Sequence, residues 1–352
     1  MIKDTILQKD LDFIANKIFK GGSFSNSTVF ITGATGLVGS LLVKSILYAN
    51  KTLGTNIKVL ASVRNLNKAR ETFLDFISDS CLEFITIDLL EPINILKKID
   101  FIVHAASITA SKEMVENPTG VLLTAFDSTK NILNYVKVNP NCKMVYISSM
   151  EYYGQVTEGY ENATEDKLGY IDLSKPRSCY PESKRACETL CNAYATQYNI
   201  NVCSARLAQT FGAGVPFSDN RVFAQFAKSA MNNSDIILHT TGESEGNYCY
   251  TADAIYAILL LLTNGKKGQS YNVACDHSSI INMAKLVAEK IADNRIKVDI
   301  QIPQDLNNYG YAPTVKLRLN SDKLRALGWE PSTDLEHMFK RMISSWEISI
   351  DK

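Results

Sequence analysis

The feature that most constrains this chain is a regular alternation of short apolar runs with longer helical patterns between residues 28 and 207. The apolar runs predict buried strands at 28–32, 57–63, 82–87, 100–106, 143–149 and 201–207. Helices are predicted at about 37–48, in a charged stretch to about 78, and near 119–137 and 180–198. Strands that are apolar throughout and alternate with helices form parallel sheets covered on both faces. We therefore predict an α/β fold with a doubly wound parallel sheet.

The two ends of the chain have a different character. Residues 4–19 show an amphipathic helical pattern, which predicts an N-terminal helical extension over 1–26. After residue 207 the alternation becomes irregular, and short apolar runs such as 271–274 lie between helices and loops. The main domain is therefore expected over 27–207. A smaller region over 208–352 is expected to face the ligand on the edge of the sheet, with parts that return to the sheet.

Composition excludes several classes of protein. Lys plus Arg and Asp plus Glu number 37 each, so the formal net charge is zero. Nucleic-acid-binding proteins usually have a basic excess, so no nucleic-acid partner is expected. The longest apolar run, 257–262, is far shorter than the roughly 20 residues that span a bilayer, so no membrane association is expected. The N-terminus lacks the apolar segment of a signal peptide.

The cysteines and histidines do not suggest a metal site. None of the eight cysteines forms a Cys-x-x-Cys pair, and the four histidines lie far apart in the sequence. Reduced, half-buried thiols are the simplest interpretation, and they predict a cytoplasmic protein.

A glycine loop follows the first predicted strand and opens the first helix of the alternation. Gly33 permits a tight turn, Gly36 allows close approach of a pyrophosphate, and Gly39 allows the helix to pack on the strand. The helix N-terminus then offers free amides to phosphate, and Thr35 can bond nearby amides. This context is typical of a Rossmann-type dinucleotide-binding domain, so we expect NAD(P) as cofactor and 27–207 as the domain that binds it.

The end of the second strand bears on the choice between NAD and NADP. The acid that usually binds the ribose, roughly 20 residues after the loop, is absent, and Arg64 stands there instead. A guanidinium accommodates a 2′-phosphate, so Arg64 favours NADP without excluding NAD. Asp88 ends the third strand and is predicted to reach the adenine amino group. For Arg64 the alternative is a solvated surface arginine, and for Asp88 it is a simple helix cap.

A set of polar side chains follows the fifth strand. Ser149 ends that strand, and Tyr180 and Lys184 come about 30 residues later on one face of a predicted helix. A cationic Lys184 near the phenol is expected to lower the pKa of Tyr180. A serine hydroxyl bonded to the same substrate oxygen would complete a proton-transfer site.

These motifs resemble an extended short-chain dehydrogenase/reductase of the nucleotide-sugar epimerase/dehydratase family. The resemblance covers about residues 27–345. The matching segments are GATGLVG at 33–39, Asp88-Leu89, HAAS at 104–107, SSMEYYG at 148–154, YPESK at 180–184, RLAQTFG at 206–212, YCYTADA at 248–254, YNVA at 271–274 and LGWEP at 327–331.

The resemblance implies a substrate, a reaction and an assembly. Tyr180 would take a proton from a sugar hydroxyl, usually at C4, while hydride passes to the nicotinamide; Ser149 would bind that oxygen and Lys184 would tune Tyr180. The transient 4-ketone would permit epimerisation, elimination or decarboxylation of a nucleotide-diphosphate sugar, with internal recycling of the cofactor. A homodimer through 119–137 and 181–198 is also implied.

Further cofactor-binding residues would be Leu37, Val38, Leu89, Ala105 and Ala106, and further substrate-binding residues would be Ser107, Gln209, Arg221 and Arg318.

Glu151 distinguishes members of the resembled family. The 4,6-dehydratases have a glutamate there as C5 base, but an aspartate that protonates the departing hydroxyl precedes it, and Met150 cannot donate a proton. Nucleotide-sugar decarboxylases carry a small hydroxyl residue directly before the glutamate. Glu151 is therefore expected to be catalytic in chemistry beyond plain C4 inversion, or else to bond backbone amides.

Several alternatives remain open from the sequence. The arginine that relatives often place before the strand near Tyr248 is missing, so Arg221, Lys316 and Arg318 are the candidates for binding the diphosphate. The alternative activities are a nucleotide-linked uronate decarboxylase and a net NADPH-dependent ketoreductase. The remaining alternative is a non-catalytic dinucleotide sensor on the same scaffold.

Overall fold

The computed structural model describes residues 3–302 and 315–350. Its strands are β1 (Thr28–Thr32), β2 (Lys58–Ser62), β3 (Leu82–Ile85), β4 (Phe101–His104), β5 (Lys143–Ser149), β6 (Asn201–Leu207), β7 (Gln209–Phe211), β8 (Ile236–Leu238), β9 (Glu245–Tyr250), β10 (Ser270–Val273), β11 (Asp276–Ser279) and β12 (Val298–Ile300). Its helices are α1 (Thr5–Ile14), α2 (Leu37–Leu53), α3 (Leu66–Thr72), α4 (Ser111–Glu116), α5 (Pro118–Val138), α6 (Cys179–Tyr198), α7 (Val222–Asn232), α8 (Thr251–Asn264), α9 (Ile280–Leu286), α10 (Asp322–Arg325) and α11 (Leu335–Ile350).

The main sheet has seven strands in the order β10-β6-β5-β4-β1-β2-β3, and every pairing is parallel. The strand order reverses between β1 and β4, so the crevice beyond their carboxyl ends is the place where such sheets bind ligands. The predicted Rossmann-type doubly wound α/β fold is confirmed.

The chain after residue 207 contributes to the main sheet as well as to smaller ones. β10 pairs with β6 and forms one edge of the seven-stranded sheet. A three-stranded sheet, β11-β9-β7, and a two-stranded sheet, β12-β8, lie outside it. The apolar run 257–262 lies in α8 and is buried, which explains why the chain contains so hydrophobic a segment. Among the described residues, none of the helices has the length and apolar character needed to cross a bilayer.

Strands β3 and β4 end earlier than their apolar patterns suggested. β3 was expected to reach residue 87 and ends at Ile85, while β4 was expected to reach 106 and ends at His104. Both corrections have the same physical cause, since apolar side chains are also needed in the loops that cover the sheet. Ile87 and Leu89, for example, pack partly buried against the core beyond β3.

The N-terminal helix packs on the body of the protein through a buried carboxylate. Leu7, Leu11 and Ile14 of α1 belong to the main hydrophobic core. Asp10 accepts hydrogen bonds from the Tyr250 hydroxyl (2.6 Å) and from Nη1 of Arg341 (3.0 Å). Asp10 therefore connects α1 to β9 and α11.

Replacing Asp10 with alanine is expected to lower the free energy of unfolding by about 2 kcal/mol. The reason is that the buried Tyr250 hydroxyl loses its acceptor and Arg341 loses a hydrogen-bond partner. Urea unfolding measures this change, and Asp10→Asn, which keeps an acceptor for Tyr250, should cost less. Equal stabilities for the wild type and the alanine variant would contradict the role of Asp10.

The same side chain should make stability depend on pH. Burial raises the pKa of Asp10 from 3.8 to about 7, although the Tyr250 hydrogen bond and the Arg341 charge lower it. Between these values the folded state binds a proton that the unfolded state has released, so the free energy of unfolding falls as pH rises through this window. Asp10→Asn should flatten this dependence in urea unfolding measured at several pH values, and an unchanged slope would refute the explanation.

Candidate active site

The glycine loop lies at the carboxyl end of β1 and packs tightly against the loop after β4. Gly33 has φ +65°, and a Cβ there would lie 2.9 Å from the Cα and N of Ala106. A Cβ on Gly39 would lie 2.3 Å from the Gly33 carbonyl oxygen. No larger residue fits at either position without moving backbone.

The residues of this loop fit a dinucleotide phosphate. Gly36 caps α2, a helix of 17 residues, and the first-turn amides at 37–39 have no acceptor within the helix. These amides and the helix dipole favour an anion at this end of α2. Gly33, Thr35, Gly36, Leu37, Val38 and Gly39 thus lie together at the crevice.

Thr32 and His104, to which the sequence motifs assign no role, connect the glycine loop to Ala105 and Ala106. The Thr32 hydroxyl oxygen accepts hydrogen bonds from the amides of Ala105 and Ala106, both at 3.1 Å. It also lies 2.8 Å from Nδ1 of His104, to which it can donate its proton. Burial, with the Lys184 charge as a smaller cause, lowers the pKa of His104 to about 3, so its ring is neutral and can accept there. Ser107, the next residue after this loop, is half-buried.

The three predicted proton-transfer residues meet at the carboxyl end of β5. Ser149 ends β5, and its side chain lies beside the phenol of Tyr180 at the start of α6, where it lowers the pKa of that phenol. Tyr180 is buried and packs with Met114, Val121 and Cys179. Lys184 is buried one turn later and donates to the Ile147 carbonyl (3.0 Å), with Nζ 5.5 Å from the Tyr180 ring centroid.

The pKa of Tyr180 was expected to be lowered by Lys184, but in this structure it is raised above its ordinary value, so the expectation is wrong. Burial raises the pKa of Tyr180 to about 12, and the charge of Glu151 adds to the rise. The Ser149 hydrogen bond and the Arg177 charge oppose it. The lysine ammonium is directed to a backbone carbonyl, and burial lowers the pKa of Lys184 itself to about 8. The desolvation of the phenol is therefore the larger effect.

Glu151 has a partner, Arg177, that was not predicted from the sequence. It lies in the Met150–Tyr153 turn directly after β5. Both of its carboxylate oxygens accept from Arg177, with Nη1–Oε2 at 2.7 Å and Nη2–Oε1 at 3.0 Å. The suggested alternative, a Glu151 carboxylate bonded to backbone amides, is therefore wrong. The sequence signal that could have predicted this partner is an arginine three residues before Tyr180.

The predicted adenosine contacts lie on the outer side of the crevice. Arg64 is exposed just beyond the end of β2. Asp88 is also exposed, and its carboxylate accepts from the Leu90 amide (2.9 Å), so it caps a local turn rather than a helix. The Leu89 carbonyl accepts from the Asn131 side chain, which links this loop to α5.

The arginines proposed for the diphosphate both have carboxylate partners. Arg221 pairs with Asp219 (2.7 Å) at the start of α7, and Arg318 pairs with Glu245 (3.0 Å) on β9. Gln209 is exposed on β7. Each guanidinium keeps part of its surface accessible, so binding a phosphate there would require it to share or exchange its partner.

Comparison with known proteins gives a family match and a set of relatives. The sequence model of the NAD dependent epimerase/dehydratase family matches residues 29–274. UDP-glucuronic acid decarboxylase 1 of Danio rerio is 27% identical over 92% of this chain and 73% of its own length. UDP-glucuronic acid decarboxylase 6 of Arabidopsis thaliana is 26% identical over 93% of this chain and 90% of its own length.

Solved structures have the same fold. UDP-N-acetylglucosamine 4-epimerase from Methanobrevibacter ruminantium superposes with a TM-score of 0.76 at 19% identity, covering 93% of this chain and 99% of that one. UDP-glucuronic acid 4-epimerase from Bacillus cereus, in complex with UDP-glucuronic acid and NAD, gives 0.73 at 20% identity, covering 92% and 100%.

Proposed function

The chain belongs to the NAD-dependent epimerase/dehydratase family and is an enzyme, and from that premise we propose that it modifies a nucleotide-diphosphate sugar through a transient 4-keto intermediate. The observation that supports this most is the meeting of Ser149, Tyr180 and Lys184 at the crevice beside the glycine loop. A dinucleotide bound at that loop supplies the acceptor and donor of hydride, so no net oxidant is needed.

In this proposal the chain's residues perform the proton transfers at C4. Tyr180 takes the proton of the C4 hydroxyl, and Ser149 hydrogen-bonds the same oxygen. Lys184 places a positive charge close to the phenolate that Tyr180 becomes. Access of water to the phenol is limited because the Tyr180 side chain is mostly buried against apolar side chains. Return of the proton from Tyr180 to the C4 oxygen, as hydride returns to C4, completes the cycle.

A second candidate reaction is the decarboxylation of a nucleotide-linked uronic acid. It is favoured by the relatives described above, which are UDP-glucuronic acid decarboxylases. A 4-keto uronic acid is a β-keto acid and loses carbon dioxide without the departure of a hydroxyl. Met150, which cannot protonate a leaving hydroxyl, is compatible with that reaction and less so with 4,6-dehydration.

Mass spectrometry of products from a panel of nucleotide sugars, uronic acids included, tests the proposal. An unchanged mass with altered stereochemistry indicates epimerisation, loss of water indicates dehydration, and loss of carbon dioxide indicates decarboxylation. Net consumption of NADPH would indicate the ketoreductase instead. Binding of NAD(P) without turnover of any nucleotide sugar would indicate a dinucleotide sensor.

The choice of NADP over NAD is proposed to depend on Arg64. Arg64→Ala is expected to weaken NADP⁺ binding about tenfold or more while changing NAD⁺ binding little, because a charge-assisted bond to the 2′-phosphate is lost. Isothermal titration calorimetry with both dinucleotides measures this. Lys51→Ala, exposed at the opposite end of α2, is the control. Equal effects on the two dinucleotides would remove Arg64 as the discriminating residue.

A homodimer is the proposed assembly, and an apolar face of α5 supports it. Leu122, Leu123 and Phe126 are exposed on this helix, which packs along α6 on its other side. A contiguous exposed apolar face of this kind is typical of a protein interface. A cytoplasmic location is proposed as well, since all eight cysteines carry free thiols.

A further inference from the structure

The ion pair between Arg177 and Glu151 lies directly beside the phenol of the proposed proton-transfer site. Arg177 belongs to the short turn Pro176–Ser178 that leads into α6, three residues before Tyr180. Glu151 belongs to the turn that follows Ser149, and its amide donates to the Ser149 hydroxyl (3.2 Å). The pair therefore links the two turns that carry Ser149 and Tyr180.

The geometry of the pair is specific. Each carboxylate oxygen of Glu151 faces a different terminal nitrogen of Arg177, at 2.7 and 3.0 Å. The side chains keep 30% and 45% of their surface exposed, so a substrate can still approach the carboxylate. Only an arginine can make this two-pronged contact, because a lysine ammonium is a single point of charge.

The two members of the pair act on Tyr180 in opposite directions. The Glu151 charge disfavours ionisation of the phenol, and the Arg177 charge favours it. Lys184, from the next turn of α6, is a further charged group close to this phenol, and burial keeps His104, which lies near Lys184, neutral. Cys179 packs beside Tyr180, and burial raises the pKa of its thiol, so it adds no charge.

We propose that Arg177 is a positioning residue which neutralises the effect of Glu151 on Tyr180 and fixes the direction of the Glu151 carboxylate towards the substrate. The inference rests on the proposed role of Tyr180. Without Arg177, the glutamate would present an unbalanced negative charge to a buried phenol. It would also be free to rotate away from the sugar.

A direct titration of Tyr180 tests this without any substrate. The full-length chain is labelled with ¹³Cζ-tyrosine, and the Tyr180 signal is identified by its loss in Tyr180→Phe. At one alkaline pH where circular dichroism shows every variant folded, Glu151→Gln should raise the phenolate fraction and Arg177→Ala should lower it. A neighbouring charge changes a pKa by about one unit, so the ratio of phenolate to phenol should change by about tenfold in each variant. The double variant should resemble the wild type.

Turnover gives a second, independent readout. Arg177→Ala should move the acid limb of the pH profile of kcat/KM to higher pH by about one unit. Arg177→Lys should reverse part of this shift, because it keeps the positive charge, but should not recover the full rate. Lys340→Ala, which breaks the surface pair with Glu336, is the control.

The outcomes separate the two proposals. If no nucleotide sugar turns over, the proposed function fails, while the titration still decides the role of Arg177. A phenolate fraction that is the same in the wild type and Glu151→Gln would overturn the inference. So would a phenolate fraction in Arg177→Ala that equals that of the wild type, because Arg177 would then have no electrostatic effect on Tyr180.

Discussion

Replacing Tyr180 with phenylalanine is expected to lower turnover by roughly a thousandfold. The substitution removes one hydroxyl and keeps the ring that packs on Met114 and Val121. The C4 proton then has no acceptor at the position that Ser149 and Lys184 surround. Binding of the dinucleotide should change far less, since the glycine loop is untouched. Initial rates with the best nucleotide sugar of the panel, together with fluorescence titration of the cofactor, measure both quantities.

The matched control for this variant lies on the same helix. Tyr194→Phe removes the hydroxyl that donates to Asn134 near the far end of α6, and its turnover should equal that of the wild type. Unfolding curves of the two variants should overlap with that of the wild type. Retention of full turnover in Tyr180→Phe would refute the assignment of Tyr180, whatever the reaction proves to be.

Replacing Glu188 with alanine is expected to lower the free energy of unfolding by about 3–5 kcal/mol. Glu188 and Arg206 form a buried ion pair, with Nη2–Oε2 at 2.9 Å and side chains 2% and 4% exposed. Ser270 also donates to Glu188 (2.8 Å), and Arg206 donates to the Tyr153 hydroxyl (2.8 Å). Removing the carboxylate leaves the guanidinium buried without a counter-ion. Urea unfolding monitored by circular dichroism measures the loss.

Two further variants test whether the loss of stability in Glu188→Ala comes from an unpaired buried charge. Glu336→Ala, which breaks an exposed pair with Lys340, should change stability far less, because water replaces the lost partner. A double variant with methionine in place of both Glu188 and Arg206 should recover most of the stability, since neither charge then remains buried. A loss in Glu188→Ala no larger than that in Glu336→Ala would contradict the expected cost of an unpaired buried charge.

The buried pair also bears on the site, because it supports the turn that carries Glu151. Tyr153 ends that turn and lies between Arg206 and Asn272, to which it donates at 2.6 Å. The network thus joins the Met150–Tyr153 turn to α6, β6 and β10. Loss of Glu188 should therefore reduce turnover as well as stability, through the position of Glu151.

Much of the fold was predictable because its signals are local. The strands of the main sheet are short apolar runs whose residues are adjacent in sequence, and β5 and β6 lie where the pattern placed them. Ser149, Tyr180 and Lys184 were found for a related reason. Each stands at a strand end or a helix start, and parallel strands bring their carboxyl ends to one edge.

The partners of the charged side chains were not predictable in the same way. Arg177 and Glu151 are 26 residues apart, Glu245 and Arg318 are 73 apart, and Asp10 and Tyr250 are 240 apart. Nothing in the spacing of these residues distinguishes a bound pair from two solvated side chains. The pKa of Tyr180 was mispredicted for this reason, since the proximity of Lys184 was visible in the sequence and the desolvation was not.

The doubly wound sheet, the glycine loop and the three residues of the proposed proton-transfer site could all be predicted from the sequence. Periodicity and glycine spacing express short-range sterics, which a linear pattern records. Three features became visible only in the folded chain: Glu151 is paired with Arg177, the candidate diphosphate arginines have carboxylate partners, and burial raises the pKa of Tyr180. Electrostatic interactions and desolvation depend on distances in space and on exclusion of water, and both arise only when the chain has folded.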